Sequence, residues 1–165
     1  MTAQVRPLVS VAVGDSHAVR RIGPITQTDI VRFAGVAGDF NPLHHDVKFA
    51  ADAGFPRPIA MGQMQAGMLA GWVSDWLGVE HLRSVDVRFV APLAIGDTLT
   101  LSGEISVIEQ SRDGSVATVE LRGTKDDEAL VVKGTARALV ATTSTGGRPY
   151  REAVPWTLRK DMPKD

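Results

Sequence analysis

The chain has no cysteine in its 165 residues, which excludes disulfides and thiolate-held metal centres. It has little excess charge: a net −1 leaves no basic footprint for nucleic acid or for an anionic membrane surface. No apolar run reaches the roughly 18 residues of a membrane-spanning helix, and the N-terminus lacks the apolar core of a secretory leader, so the cytoplasm is the expected compartment. Nor is there an internal repeat. What is present is a chain of ordinary domain size with 44% hydrophobic residues, enough for one real core.

The most informative stretch is Asp39-Phe40-Asn41-Pro42-Leu43-His44-His45-Asp46, which gathers acid, amide and imidazole groups around one proline-stiffened turn. Upstream, Thr26-Gln27-Thr28-Asp29 reads as a helix start, with Thr26 as the cap and Asp29 in the positive first turn. Ile30, Phe33, Ala34 and Ala37 repeat at helical spacing. The helix should end near Gly38, because Pro42 disfavours a helical Asn41 and has no N–H to donate. Asp39 and His44 therefore lie on a bent loop, five positions apart, where they can converge on one water molecule. A carboxylate accepts a proton from water, and an imidazole takes or returns one near neutral pH. Asn41 can hold either partner in place through its amide. The plainer alternative is that Asp39 caps a turn and the histidines are ordinary loop residues.

Gln63 to Leu77 reads as a long apolar helix opened by Gly62. Gly62, Ala66 and Ala70 form one row of small residues, with Gly67 and Gly71 beside it. Interior glycines cost about 1 kcal/mol each relative to alanine, so close packing on a sheet or a groove beside the helix is implied. Trp72 and Trp76, four apart, should fill core or a subunit interface. After Gly78 the apolar period changes to two, and 84–91, 98–109, 115–123 and 129–141 read as strands. Asp113-Gly114 marks a hairpin and Lys125 to Glu128 a charged reversal, so a consecutive antiparallel meander is expected. With an early strand near Val9 to Val13, the order is α+β: a domain over residues 1–141, then a linker and tail over 142–165.

The segment from Phe33 to Gly62 resembles the MaoC-like (R)-specific enoyl-CoA hydratases and 3-hydroxyacyl dehydratases. Ala37-Gly38-Asp39-Phe40-Asn41-Pro42-Leu43-His44 is similar to their hydratase motif, a small residue, Gly-Asp, any residue, Asn-Pro, an aliphatic residue and His. The run Phe55-Pro56-Arg57-Pro58-Ile59-Ala60-Met61-Gly62 is similar to the approach to their central helix, with Met61 where His is usual and Gln63 where Met is usual. The resemblance implies a single hot-dog fold, a curved antiparallel sheet around the long helix. It also implies an Asp39–His44 catalytic dyad, an acyl-CoA or acyl-carrier-protein thioester as substrate, and an (R)-3-hydroxyacyl product. No cofactor is implied. A homodimer or larger oligomer is, with the CoA arm along the subunit boundary.

In that setting the unpaired N–H groups around Gly62, at the positive end of the helix, suit a thioester oxygen; losing one such donor costs on the order of 3 kcal/mol in acyl-transfer enzymes. Asn41, Met61 and Gln63 join Gly62 as candidate substrate-binding residues. Met61, with Gly67, Ala70 and Gly71, favours a branched, long or ring-bearing acyl group. Two other functions remain open on this architecture: an acyl-CoA thioesterase, and one subunit of a heteromeric dehydratase. No metal is expected, because the adjacent His44, His45 and Asp46 rarely face one ion and only His17 and His81 remain as further imidazoles.

Overall fold

The computed structural model describes residues 5–142. The first helix, α1 (Gln27–Ala37), starts as its sequence dictates. Thr26 is extended and accepts from the Asp29 N–H, while the Asp29 side chain reaches back to the Thr26 backbone. Hydrogen bonds from the Thr26 side chain and backbone hold the Asp29 carboxyl below its usual range. Gly38 ends the helix in the left-handed region at φ 68°, donating to the Ala34 carbonyl. One turn of 3-10 helix, Pro42–His44, and a short helix, α2 (Val47–Asp52), follow; a second such turn, Val79–His81, comes after the long helix. The long helix α3 (Gly62–Leu77) comes next.

Among the described residues there are six strands: β1 (Ser10–Val11), β2 (Arg20–Ile22), β3 (Leu82–Phe89), β4 (Leu99–Ser111), β5 (Gly114–Thr124) and β6 (Leu130–Thr142). The sheet runs β1-β6-β5-β4-β2, with β3 also paired to β6. The long strands are antiparallel, and only the two-residue β1 runs parallel to its neighbour. A consecutive meander therefore holds only for β4, β5 and β6. The strand β3 skips β4 and pairs along β6 from Leu82↔Ala138 to Phe89↔Val132. The loop from Val90 to Thr98 makes that crossing possible, since two strands joined by a tight turn would have to be neighbours. The charged reversal falls as the sequence indicates, while the hairpin turns one position earlier than expected, at Arg112-Asp113, with Gly114 paired to Ser111 as the first residue of β5.

The inner face of the sheet packs on α3. Leu69, Trp72, Val73 and Leu77 of the helix and Leu101, Ile105, Val119, Leu121, Val132 and Ala136 of the sheet are fully buried. Trp72 is core: its indole N–H donates to the Ala18 carbonyl at 3.0 Å, and its ring meets Trp76 edge-on. Gly103 makes room for it, since a Cβ there would lie 3.1 Å from the Trp72 ring. A curved sheet around one buried helix is the hot-dog arrangement. Gly67 and Gly71 lie on the other side of α3, where an added Cβ would meet nothing within 4 Å, so close packing on the sheet is not what these two serve. The expected linker and tail lie, beyond Thr142, outside the described residues. Among those residues no helix is long and apolar enough to cross a membrane.

Candidate active site

The polar residues of the loop after α1 divide into two groups once their partners are known. Asn41 turns its side chain back to accept from the Leu43 N–H at 3.0 Å, which shapes the entry to the 3-10 turn. Asp46 caps α2 by accepting from the Phe49 N–H at 2.9 Å. His45 is exposed, with Nε2 at 3.3 Å from the Phe40 carbonyl. These three serve the local backbone. Asp39 and His44 remain, and they face each other, Asp39 Oδ2 lying 3.6 Å from His44 Nε2.

The His44 ring is buried, and its Nδ1 lies 2.7 Å from the carbonyl oxygen of Ile59. A carbonyl oxygen only accepts, so Nδ1 carries the hydrogen, and in the neutral form of the ring the lone pair of Nε2 is turned toward Asp39. Two acceptors then oppose each other across a gap too long for a direct hydrogen bond. A water or hydroxyl placed between them would donate to both, which is what shared activation of one water requires. The Asp39 side chain is 37% exposed, so this gap opens outward, while its Oδ1 accepts from the Asn41 N–H and keeps the carboxylate oriented. The side chain of Gln27 reinforces the loop, donating to the His44 carbonyl at 3.3 Å. Nothing in the sequence marks Gln27 for this role; its place just after the α1 cap, facing the returning loop, is visible only once the chain has folded back.

Ile59 also starts the approach to α3. Three residues further on is Gly62, the first residue of that helix, and no side chain caps it at Met61. The first-turn N–H groups thus have no intrahelical partner. A Cβ at Gly62 would lie 2.8 Å from the ring of Phe89, so glycine is what lets β3 pass close to the helix start. Phe89, half exposed beside this point, had no distinguishing signal in the sequence. Met61 is buried in the hydrophobic core and Gln63 is exposed. A cleft of about 680 Å³ runs between α1 and α3, lined by Ile25, Phe33, Val36, Met64, Gly67 and Met68. Its walls are mostly apolar.

A family model described as MaoC like domain matches residues 10–126. The (R)-specific enoyl-CoA hydratase of Aeromonas caviae is 33% identical over 111 residues, covering 66% of this chain and 81% of that protein. The 3-hydroxyacyl-thioester dehydratase Y of Mycobacterium tuberculosis is 34% identical over 123 residues, 72% of this chain but 41% of the relative. Among solved structures, the (R)-hydratase from A. caviae involved in PHA biosynthesis superposes with a TM-score of 0.71 at 29% identity, covering 79% of this chain and 98% of that one. A chain of the ChsH1-ChsH2 complex from M. tuberculosis gives 0.70 at 25% identity, covering 78% and 98%.

Proposed function

This chain belongs to the MaoC-like domain family, and from that premise we propose that it is a hydro-lyase, reversibly adding water to a trans-2-enoyl thioester to give the (R)-3-hydroxyacyl thioester. The observation that carries the proposal is the opposed pair: His44 Nε2, turned inward by the Nδ1–H bond to Ile59, and the Asp39 carboxylate 3.6 Å away. In hydration, a water held between the two breaks one O–H bond as its oxygen bonds to Cβ. The π electrons move toward Cα and the thioester oxygen, one member of the dyad takes the water's proton, and that proton is then delivered to Cα from the same side, returning both groups to their starting state. Addition on one face follows, because both groups stand on one side of the substrate.

The thioester oxygen is placed at the Gly62 amide, where the positive end of α3 stabilises the developing enolate. The acyl chain is assigned to the cleft past Gly67, which favours a long, branched or ringed acyl group. Asn41 acts through the loop shape, and Met61 and Gln63 flank Gly62 from the core and the exposed side respectively. The test is to follow the conjugated enoyl-thioester absorbance with crotonyl-CoA and longer enoyl-CoAs, with thiol release in parallel. Loss of conjugation without thiol release is expected; thiol release without hydration would assign a thioesterase.

A homodimer completes this proposal. Among the described residues the outer edge of β3 has no strand partner, and Val36, Phe40, Phe89 and Val90 are exposed around the site and the cleft. Unpaired edges and clustered apolar surface are what a second copy covers. Sedimentation of the active protein at micromolar concentration should give a dimer or larger assembly. A fully active monomer would contradict this, and activity only with an added second protein would assign a heteromer.

A further inference from the structure

We infer that Arg57 and Asp97 are positioning residues for His44, setting its ring orientation and tautomer through the Ile59 carbonyl; this rests on the Asp39–His44 dyad proposed above. The connection is continuous. The carbonyl that takes the His44 Nδ1 hydrogen belongs to residue 59 of a short extended segment with no place in the main sheet. That segment is held by the loop after β3: Ile59 bridges to Ala94, Ala60 donates to the Leu93 carbonyl at 2.7 Å, and Ile95 donates to the Pro58 carbonyl at 3.0 Å. Besides the His44 bond, the segment is tied back to the catalytic loop by the longer Ile59 N–H to Leu43 carbonyl contact, at 3.3 Å.

The loop is in turn fastened by two backbone bonds with Ile25, from the Gly96 N–H and to the Asp97 carbonyl, each 2.8 Å, and by one guanidinium. Arg57 donates to the Ile95 carbonyl and to Asp97 Oδ1, the latter at 2.8 Å. Asp97, whose side chain is only 13% exposed, spends its other oxygen on the Ala94 N–H at 2.9 Å, with Lys125 nearby at 3.8 Å. Gly96 sits between them at φ 90°, and an added Cβ there would lie 2.8 Å from the guanidinium, so the backbone itself makes way for Arg57. Arg57 precedes Ile59 by two residues and Asp97 follows Ala94 by three. The clamp thus closes both sides of the bridge that sets where the Ile59 oxygen stands. A planar two-pronged donor can hold a backbone carbonyl and a carboxylate at fixed separation, which an ammonium cannot.

The consequence is specific to one imidazole. If the Ile59 oxygen moves, Nδ1 loses its acceptor, the ring is free to carry its hydrogen on Nε2, and a donor then faces Asp39 in place of a base. The experiment uses the full chain with 15N-labelled histidine. Long-range 15N–1H NMR reads the His44 tautomer, its signal assigned by its absence in His44→Ala. Wild type should show the Nδ1–H form above the titration of the ring. Arg57→Gln and Asp97→Asn should shift His44 toward the Nε2–H form, leave the other three histidines unchanged, and lower kcat about 10- to 100-fold with KM within about threefold, the scale of a displaced catalytic group.

Arg57→Lys keeps the charge but loses the fork, and should fall between wild type and Arg57→Gln. Arg20→Gln, which breaks the exposed pair with Asp75, is the control for a generic loss of an ion pair. A His44 that keeps its Nδ1–H form in both Arg57→Gln and Asp97→Asn, or that changes equally in Arg20→Gln, overturns the inference. A shifted tautomer with unchanged kcat supports the clamp and removes the dyad, so the two failures are told apart.

Discussion

Replacing Asp39 by Asn or His44 by Ala should lower hydratase turnover by about 10² or more, the usual range for a lost general acid–base group. The expected loss is in kcat, because neither side chain lines the apolar cleft that would take the acyl chain. Asp39→Asn is the cleaner change. The Asp39 oxygen that accepts from the Asn41 N–H can be reproduced by a carboxamide, so the loop keeps its shape while the acceptor facing Nε2 is lost. His44→Ala removes a buried ring and opens a hole, so His44→Asn should accompany it. An asparagine amide can still donate to the Ile59 carbonyl but has nothing in the place of Nε2. Thermal unfolding of each variant separates lost chemistry from lost structure. Near-normal turnover in either Asp39→Asn or His44→Asn would remove the dyad assignment.

Substrate size should turn on one glycine. Gly67 lines the cleft between α1 and α3, and an added Cβ meets nothing there within 4 Å, so Gly67→Leu should fold. Replacing glycine inside a helix even favours the helix by up to about 1 kcal/mol. The leucine side chain would stand where the far end of a long or ringed acyl group is placed. Overfilling a packed pocket costs about 1 to 3 kcal/mol, or roughly 10- to 100-fold in kcat/KM. The variant should therefore lose bulky enoyl-CoAs by that factor while crotonyl-CoA conversion persists. A wild type that prefers crotonyl-CoA to every longer substrate, or a Gly67→Leu variant that slows all chain lengths alike, would show that the acyl chain lies elsewhere.

The parts of this protein legible in its sequence are those governed by neighbours along the chain. Thr26 and Asp29 form their capping box, Gly38 adopts the left-handed turn that ends α1, and the four long strands lie within about two residues of where their alternation put them. Each depends on contacts three or four residues apart, or on a period of two, which a sequence displays directly. Two elements were missed. The strand β2, Arg20–Ile22, is too short and too charged to show alternation, and exists because β4 offers it an edge. The helix α2 is six residues long, and its one signal was Asp46, read there as part of a polar cluster and in fact the cap of that helix.

For the site, the loop chemistry alone singled out Asp39 and His44 as a possible pair, because a turn needs one polar residue and this one has five. Which of the five face each other was a tertiary matter. Asn41 and Asp46 satisfy backbone N–H groups close by, and only the carbonyl of Ile59, fifteen residues downstream of His44, selects the ring nitrogen turned to Asp39. Phe89 over Gly62, Gln27 on the His44 carbonyl, and the Arg57–Asp97 clamp join residues 27, 17 and 40 positions apart. The crossing of β3 past β4 to pair with β6 is of the same kind. Local propensity determines where helices and strands begin and end. Their order in the sheet, and which polar atoms meet, follow from burying Leu69, Trp72, Val73 and Leu77 of α3 against one sheet, a condition that all parts of the chain satisfy together.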